Sequence, residues 1–141
     1  MTGVELLHEW YRRIWVDADM AAVAEFLDAE GLANGLMPDF AAQLADFQSL
    51  VPAVLHNVRN LTFKIEDSME VGDRAWARVR IDAQKAEDMT PVHVTGQVMI
   101  RLRDGMIIEA HNHFDLMGYF EQMGNLPHDS VALCLAGEEL S

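Results

Sequence analysis

The chain has 141 residues, half of them apolar, which is the composition of a globular protein with enough residues for one core. Its 23 acidic residues outnumber 10 basic ones, and the net charge of −13 argues against nucleic acid or an anionic membrane surface as a partner. A single cysteine excludes an internal disulfide, and no apolar run is long enough to span a membrane. We therefore expect one cytoplasmic domain over residues 1–141, with a core from about 4 to 127 and a tail over 128–141.

The N-terminal part of the sequence predicts two helices. Thr2 and Glu5 fit a capping box, which satisfies two backbone N–H groups at a helix start. The apolar side of this first helix carries Leu7, Trp10, Tyr11, Ile14 and Trp15. Asp19 can cap a second helix over about residues 20–28.

A third helix is predicted after a break in the chain. Gly31 and Gly35 interrupt the pattern, and Pro38 with Asp39 opens the next helix. Pro52 disturbs that helix one turn before its end, because it lacks an N–H group and clashes backwards. The apolar positions at helical spacing are Phe40, Leu44, Phe47 and Val51.

The period then changes from helical to alternating. Residues 61–67 and 75–83 alternate with period two, and Val71-Gly72-Asp73-Arg74 between them reads as a turn. Helices first and strands afterwards predict an α+β protein, with helices on one side of an antiparallel sheet.

The last two strands form a predicted hairpin. Asp104-Gly105 is a two-residue loop between apolar runs over 92–103 and 106–115. A regular hairpin would place Val98 opposite His111. That register would set four ionisable groups, Glu109, His111, His113 and Asp115, against Ile100, Val98, Gly96 and Val94. Such an arrangement indicates the polar wall of a pocket.

The opposite sheet face mixes arginines with apolar groups. It is expected to carry Trp76, Arg78, Arg80, Met99, Arg101 and Phe114. Two interpretations stay open for this face. It is either solvated, or it meets a second subunit in a homodimer.

Several local strings resemble those of the SnoaL-like polyketide cyclases, within the nuclear-transport-factor-2-like fold. They are Trp15 with Asp19, the stretch 26–30, the turn Val71-Gly72-Asp73-Arg74, the run from Arg101 to Ile107, Glu109, Asp115, and the segment 120–124. The resemblance covers residues from about 4 to about 127. It implies a cone-shaped barrel in which three N-terminal helices pack on a curved antiparallel sheet and enclose one pocket.

The resemblance also implies a chemistry. Asp115 matches the position of the acid–base Asp of those cyclases, which close a ring by an aldol reaction without a metal. Two positions depart from the family: Asn34 stands where many members have a His, and His111 stands where many have a Trp. Asn34 cannot do acid–base work, and the wall near His111 becomes more titratable.

Two functions follow from these residues. The first is a cofactor-independent enzyme acting on a small, largely apolar carbonyl compound, with Asp115, His113 and His111 as catalytic groups. Its substrate-binding residues would be Trp10, Trp15, Asn34, Phe47, Val98 and Glu109. The alternative is a protein that binds a hydrophobic small molecule without turnover, in which Asp115 only caps a turn.

A metal site is a further interpretation of the same strand. His111 and His113 project two imidazoles to one side, as zinc and iron sites often use. Glu109, Asp115, His93 or His56 would have to complete the ligand set. Because the apolar residues expected opposite offer no ligand, we predict no metal and no other cofactor.

Overall fold

The computed structural model describes residues 1–140 and consists of helices packed on a curved six-stranded sheet. The strands are β1 (Leu27–Met37), β2 (Phe40–Ala42), β3 (Val58–Val71), β4 (Arg74–Lys85), β5 (Pro91–Arg103) and β6 (Met106–Phe114). The helices are α1 (Gly3–Trp10), α2 (Val23–Phe26), α3 (Leu44–Leu55), α4 (Leu116–Met123) and α5 (Ser130–Leu135). A π-helical segment, Tyr11–Val16, extends α1, and a 3₁₀ turn, Met20–Ala22, precedes α2.

The sheet is mixed, in the order β2-β1-β6-β5-β4-β3. Every neighbouring pair is antiparallel except β1 and β6, which are parallel. The predicted α+β class, with helices on a curved and cone-like sheet, is confirmed. The expected all-antiparallel pairing needs one correction, the parallel β1–β6 pair.

The first helix begins where the capping box predicts. The Thr2 hydroxyl accepts a hydrogen bond from the Glu5 amide at 3.1 Å, and the Glu5 carboxylate accepts one from the Thr2 amide at 3.1 Å. Helical spacing then buries Leu7 and Ile14 completely against the sheet. This packing fixes the helix over the sheet face that forms the core.

The region after this helix differs from the prediction. The second helix is only Val23–Phe26, and the chain continues directly into β1. Asp19 caps no helix, because its carboxylate pairs with Arg13 at 3.2 Å. Gly31 does not break the chain, since a Cβ there would lie 2.8 Å from the Ile107 carbonyl oxygen of β6. The glycine therefore permits close strand pairing, which local propensity does not reveal.

The third helix also starts later than predicted. Phe40 belongs to the short strand β2, and α3 begins at Leu44. Gln43 and Asp46 form its capping box, with the Asp46 carboxylate accepting from the Gln43 amide at 2.8 Å. Phe47 and Val51 are buried as expected.

The hairpin has the predicted turn but a different register. Asp104 and Gly105 both have positive φ, as a two-residue hairpin turn requires. Leu102 pairs with Ile107, but the next pair is Arg101 with Glu109, so Ile108 is an extra residue in β6. A bulge of this kind moves every later side chain to the opposite face. The predicted pairing of Val98 with His111 is therefore wrong.

Candidate functional site

A cavity of about 320 Å³ lies between the helices and the sheet. This volume is within the range of small-molecule sites. The helical part of its wall consists of Leu7, Trp10, Tyr11, Trp15, Phe47, Leu50 and Val54. Strand residues of the wall include Ala33, Ile81, Val94, Val98, Ile100, Ala110, Asn112 and Phe114. Leu116, Tyr119 and Phe120 of α4 complete one side.

Among residues 1–140, no aspartate, glutamate, lysine or arginine lines this cavity. His93 contributes to the wall, but its neighbours Val92 and Val94 occupy the cavity side of β5. Strand alternation directs the imidazole to the other face, where His93 pairs with Asp82 across the strands. There the Arg80 guanidinium, with a smaller contribution from His93, lowers the pKa of the Asp82 carboxyl. The cavity itself thus has an uncharged, mostly apolar wall.

The Tyr11 hydroxyl is a polar group of this wall. The residue is 4% exposed, and no residue among 1–140 forms a hydrogen bond with its oxygen. Burial raises the pKa of the hydroxyl well above its ordinary value. Tyr11 therefore stays protonated at neutral pH and can donate to a ligand.

Asn112 supplies an acceptor to the same cavity. Its Nδ2 atom donates to the Asn34 carbonyl oxygen at 3.2 Å, which leaves the amide oxygen to accept from a ligand. Gly35 of the same strand has a φ of +89°, and a Cβ there would lie 1.9 Å from the Asn112 carbonyl oxygen. Only glycine fits this approach, which keeps β1 close enough to hold the amide in place.

The predicted site residues divide into two groups. Trp10, Trp15, Phe47 and Val98 all line the cavity. Asn34, Glu109, His111, His113 and Asp115 do not line it. Phe114, expected on the outer face, lies in the wall instead, with its ring 2.3 Å from the position of a Cβ on Gly96.

Glu109 and His111 lie on the outer sheet face because of the bulge. There His111 is paired with Met99 and His113 with Gln97. The His111 Nε2 atom lies 3.0 Å from a Glu109 carboxylate oxygen, and the Arg101 Nε atom lies 3.3 Å from the other. These contacts, first that of His111 and then the charge of Arg101, lower the pKa of Glu109. The expectation that these groups form the pocket wall is wrong.

Asp115 follows the last residue of β6 and caps α4. Its Oδ1 atom accepts a hydrogen bond from the Gly118 amide at 3.0 Å, and the side chain is exposed. A Cβ on Gly118 would lie 2.4 Å from the other carboxylate oxygen, so glycine makes room for the cap. Its neighbours Phe114 and Leu116 both line the cavity, but the carboxylate does not.

The sequence alone does not identify Tyr11 and Asn112, two polar residues of the cavity wall, as functional candidates. The sequence predicts core packing for Trp10, Tyr11 and Trp15, with one of the three also covering the pocket, but it assigns no role to the Tyr11 hydroxyl. Asn112 reaches the cavity only because of the bulge, and no local signal marks it.

Two further findings concern metals and membranes. Among residues 1–140, no group of three or more His, Cys, Asp or Glu side chains is placed to hold a metal ion. No helix within that range is long and apolar enough to cross a membrane.

Comparison with known proteins places this architecture in a family. The model of the SnoaL-like domain matches residues 7–110. The fold is shared with IdmH from Streptomyces antibioticus, described as a candidate polyketide cyclase, at 16% identity and a TM-score of 0.76, over 88% of this chain and 99% of IdmH. TsrD from Streptomyces laurentii is 18% identical, with a TM-score of 0.73 over 87% of this chain and 96% of TsrD.

A ketosteroid isomerase-like protein from Catenulispora acidiphila, solved with trimethylamine, is 16% identical. Its TM-score is 0.73, over 87% of this chain and 95% of that protein. No curated protein matches the sequence closely enough to count as a relative. The family model covers well over half of the residues, and the chain belongs to the SnoaL-like domain family.

Proposed function

We propose that this protein binds a neutral, largely apolar small molecule that carries a carbonyl group, without the help of a cofactor. One observation carries the proposal: among residues 1–140 the cavity wall has no charged side chain, and it includes Tyr11, whose hydroxyl has no hydrogen-bond partner in that range. The predicted alternative, a binding protein for a hydrophobic small molecule, is thereby favoured over the predicted acid–base site.

The energetics of the cavity support a neutral ligand. Apolar surface that leaves water gains about 25 cal/mol per Å². A charged group would lose its hydration there and find no counter-ion, which is costly. A carbonyl oxygen, in contrast, can accept a hydrogen bond from Tyr11. The indole N–H groups of Trp10 and Trp15, which have no partner among residues 1–140, offer further donors.

A matched pair of probes tests the proposal. 2-Acetylnaphthalene and 2-ethylnaphthalene have similar shapes, but only the first has a carbonyl. We expect both to bind, and the ketone to bind about threefold to tenfold more tightly, as one net hydrogen bond provides. Tyr11→Phe should remove this preference and leave the affinity for 2-ethylnaphthalene unchanged. Titration by fluorescence or calorimetry measures both constants.

Two results of this experiment would contradict the proposal. If neither probe binds up to its solubility limit, the cavity is not a ligand site. If both bind and Tyr11→Phe keeps the preference for the ketone, the role of Tyr11 is wrong.

Membership of the SnoaL-like family supports a second candidate, a cofactor-independent acid–base enzyme of the cyclase or isomerase type. Tyr11 would donate to the substrate carbonyl and stabilise the negative charge that develops on its oxygen. Asp115 lies between two wall residues and would be the proton acceptor, but it must first leave the cap of α4. His111 and His113 would have no part from the outer face.

Turnover separates the two candidates. A ligand that co-purifies can be identified by native mass spectrometry and incubated with fresh protein. The binding function predicts that the molecule is recovered unchanged. A change of its mass or its chromatographic retention, abolished by Tyr11→Phe, would favour the enzyme.

We also propose that the protein is a homodimer joined through the outer sheet face. Trp76 and Met99 lie side by side on this face, and the Trp76 indole donates to the Gln97 amide oxygen at 2.9 Å. The Arg101 guanidinium of this face pairs with Glu109 of its own chain at 3.3 Å. A second copy would cover the apolar centre formed by Trp76 and Met99.

A further inference from the structure

A second cavity, of about 640 Å³, lies beside the first. We call it the vestibule. Three parts of the chain form it: the end of α3, the connection between β4 and β5, and α4 with the residues that follow it. Val54, Tyr119 and Phe120 line both cavities.

The vestibule differs from the apolar cavity in chemistry. Besides Tyr119, its lining residues with polar side chains are His56, Asn57, Lys85, Glu87 and Asn125. Lys85 and Glu87 form no ion pair with each other or with another residue among 1–140, so both remain able to bind a ligand. The two formal charges offset each other, and the wall combines donors with acceptors.

The wall between the cavities is held in position by α4. Asp115 caps the helix at its start, and Gly124 ends it in the left-handed conformation. The Gln122 side chain accepts from the His93 amide at 2.8 Å and donates to the His93 carbonyl oxygen at 2.8 Å. Tyr119 and Phe120 are therefore fixed beside the boundary. A ligand that extends from one space into the other would pass these two side chains.

We infer that the ligand is amphipathic, with an apolar body in the cavity and an uncharged, hydroxyl-bearing end in the vestibule. This inference rests on the proposed function, because the apolar body is the molecule proposed above. A hydroxyl group both donates and accepts, so it can bind Glu87 and Lys85 together. A sulfate or carboxylate end could pair with Lys85, but it would also meet Glu87 and the carbonyl ends of α3 and α4, which disfavour an anion.

Three probes with the same ring system test the inference. 2-Methoxynaphthalene has no hydroxyl group, 2-naphthyl β-D-glucopyranoside has an uncharged hydroxylated end, and 2-naphthyl sulfate has an anionic end. We expect the glucoside to bind about threefold to tenfold more tightly than the methoxy compound, and the sulfate more weakly than both. Calorimetric titration of the full chain gives the three dissociation constants.

Variants of the vestibule locate the effect. Lys85→Ala and Glu87→Ala should each remove most of the glucoside preference and leave 2-methoxynaphthalene binding unchanged. Lys64→Ala and Glu30→Ala are the matched controls, because both residues lie on strands outside the vestibule. Neither control should change any of the three constants.

The outcomes separate this inference from the proposed function. If 2-methoxynaphthalene does not bind at all, the proposed function fails. If it binds and the glucoside binds no more tightly, or keeps its preference in both vestibule variants, the inference is wrong. Tighter binding of the sulfate than of the glucoside would identify an anion site instead, and would also overturn the inference.

Discussion

Val98 of β5 lies directly opposite Asn112 of β6, and not opposite His111. One additional residue in β6, Ile108, produces this pairing. It turns the amide of Asn112 into the cavity and the imidazole of His111 to the outer face. The ionisable side chains of β6, those of Glu109, His111 and His113, therefore lie on the side of the sheet that faces away from the cavity.

This register can be tested with neighbouring substitutions. Val98→Phe adds volume inside the cavity and should weaken binding of 2-ethylnaphthalene by about tenfold or more, because the ring occupies ligand space. Met99→Phe points to the other face and should leave the affinity unchanged. Circular dichroism verifies that both variants are folded. Weaker binding by Met99→Phe alone would contradict the register.

The capping role of Asp115 predicts a difference between two substitutions. Asp115→Ala removes the acceptor for the Gly118 amide and should lower the free energy of unfolding by about 1 kcal/mol. Asp115→Asn keeps an acceptor and should stay within a few tenths of a kcal/mol of the original. Chemical denaturation measures both values.

Once a substrate is known, the reaction rates of these variants provide a second test. A general acid–base role predicts that Asp115→Asn loses about 10²–10⁴-fold in rate while it keeps its stability. We expect no such loss, since the carboxylate is occupied at the helix start. A loss of that size would favour the enzyme candidate.

Acid stability should depend on the pair between Arg13 and Glu25. Two hydrogen bonds of 2.9 and 2.6 Å join them, and they lower the pKa of Glu25 below its ordinary value of 4.5. A lowered pKa in the folded state stabilises the fold above that ordinary value, and the stabilisation is lost as the pH falls through the folded pKa. Glu25→Gln should therefore reduce stability at neutral pH and flatten its decrease as the pH falls below 4.5.

Glu138→Gln is the control for this pH series. Glu138 follows α5 and its side chain forms no ion pair among residues 1–140. Its variant should follow the pH curve of the original protein. An equal flattening in both variants would show that the Arg13 pair is not responsible.

The proposed homodimer predicts a mass in solution. Light scattering at micromolar concentration should give twice the chain mass of 15.8 kDa. Met99→Glu places a charge in the apolar centre of the outer face and should shift the mass to one chain. Met89→Glu, on the connection between β4 and β5, should keep the dimer. A mass of one chain for the original protein would remove the proposal.

Several elements were predictable because their signals are local. The capping box of Thr2 and Glu5 begins α1, and the Asp104-Gly105 turn joins β5 to β6. The period-two stretches became β3 and β4, with the predicted turn after Val71. Neighbouring residues satisfy the backbone groups of the helix cap and the hairpin turn, so for these two elements the sequence contains the whole physical cause.

The strand β1 and the cavity wall depended on distant contacts. The sequence predicts a break in the chain at Gly31 and Gly35. In the structure, these two glycines allow β1 to approach β6 closely enough to pair in parallel. The family pattern and the apolar residues Trp10, Trp15, Phe47 and Val98 predicted the fold and part of the lining. The bulge at Ile108 decided the rest of the lining, because one additional residue moves all later side chains of the strand to the opposite face. No local interaction indicates that this residue is inserted.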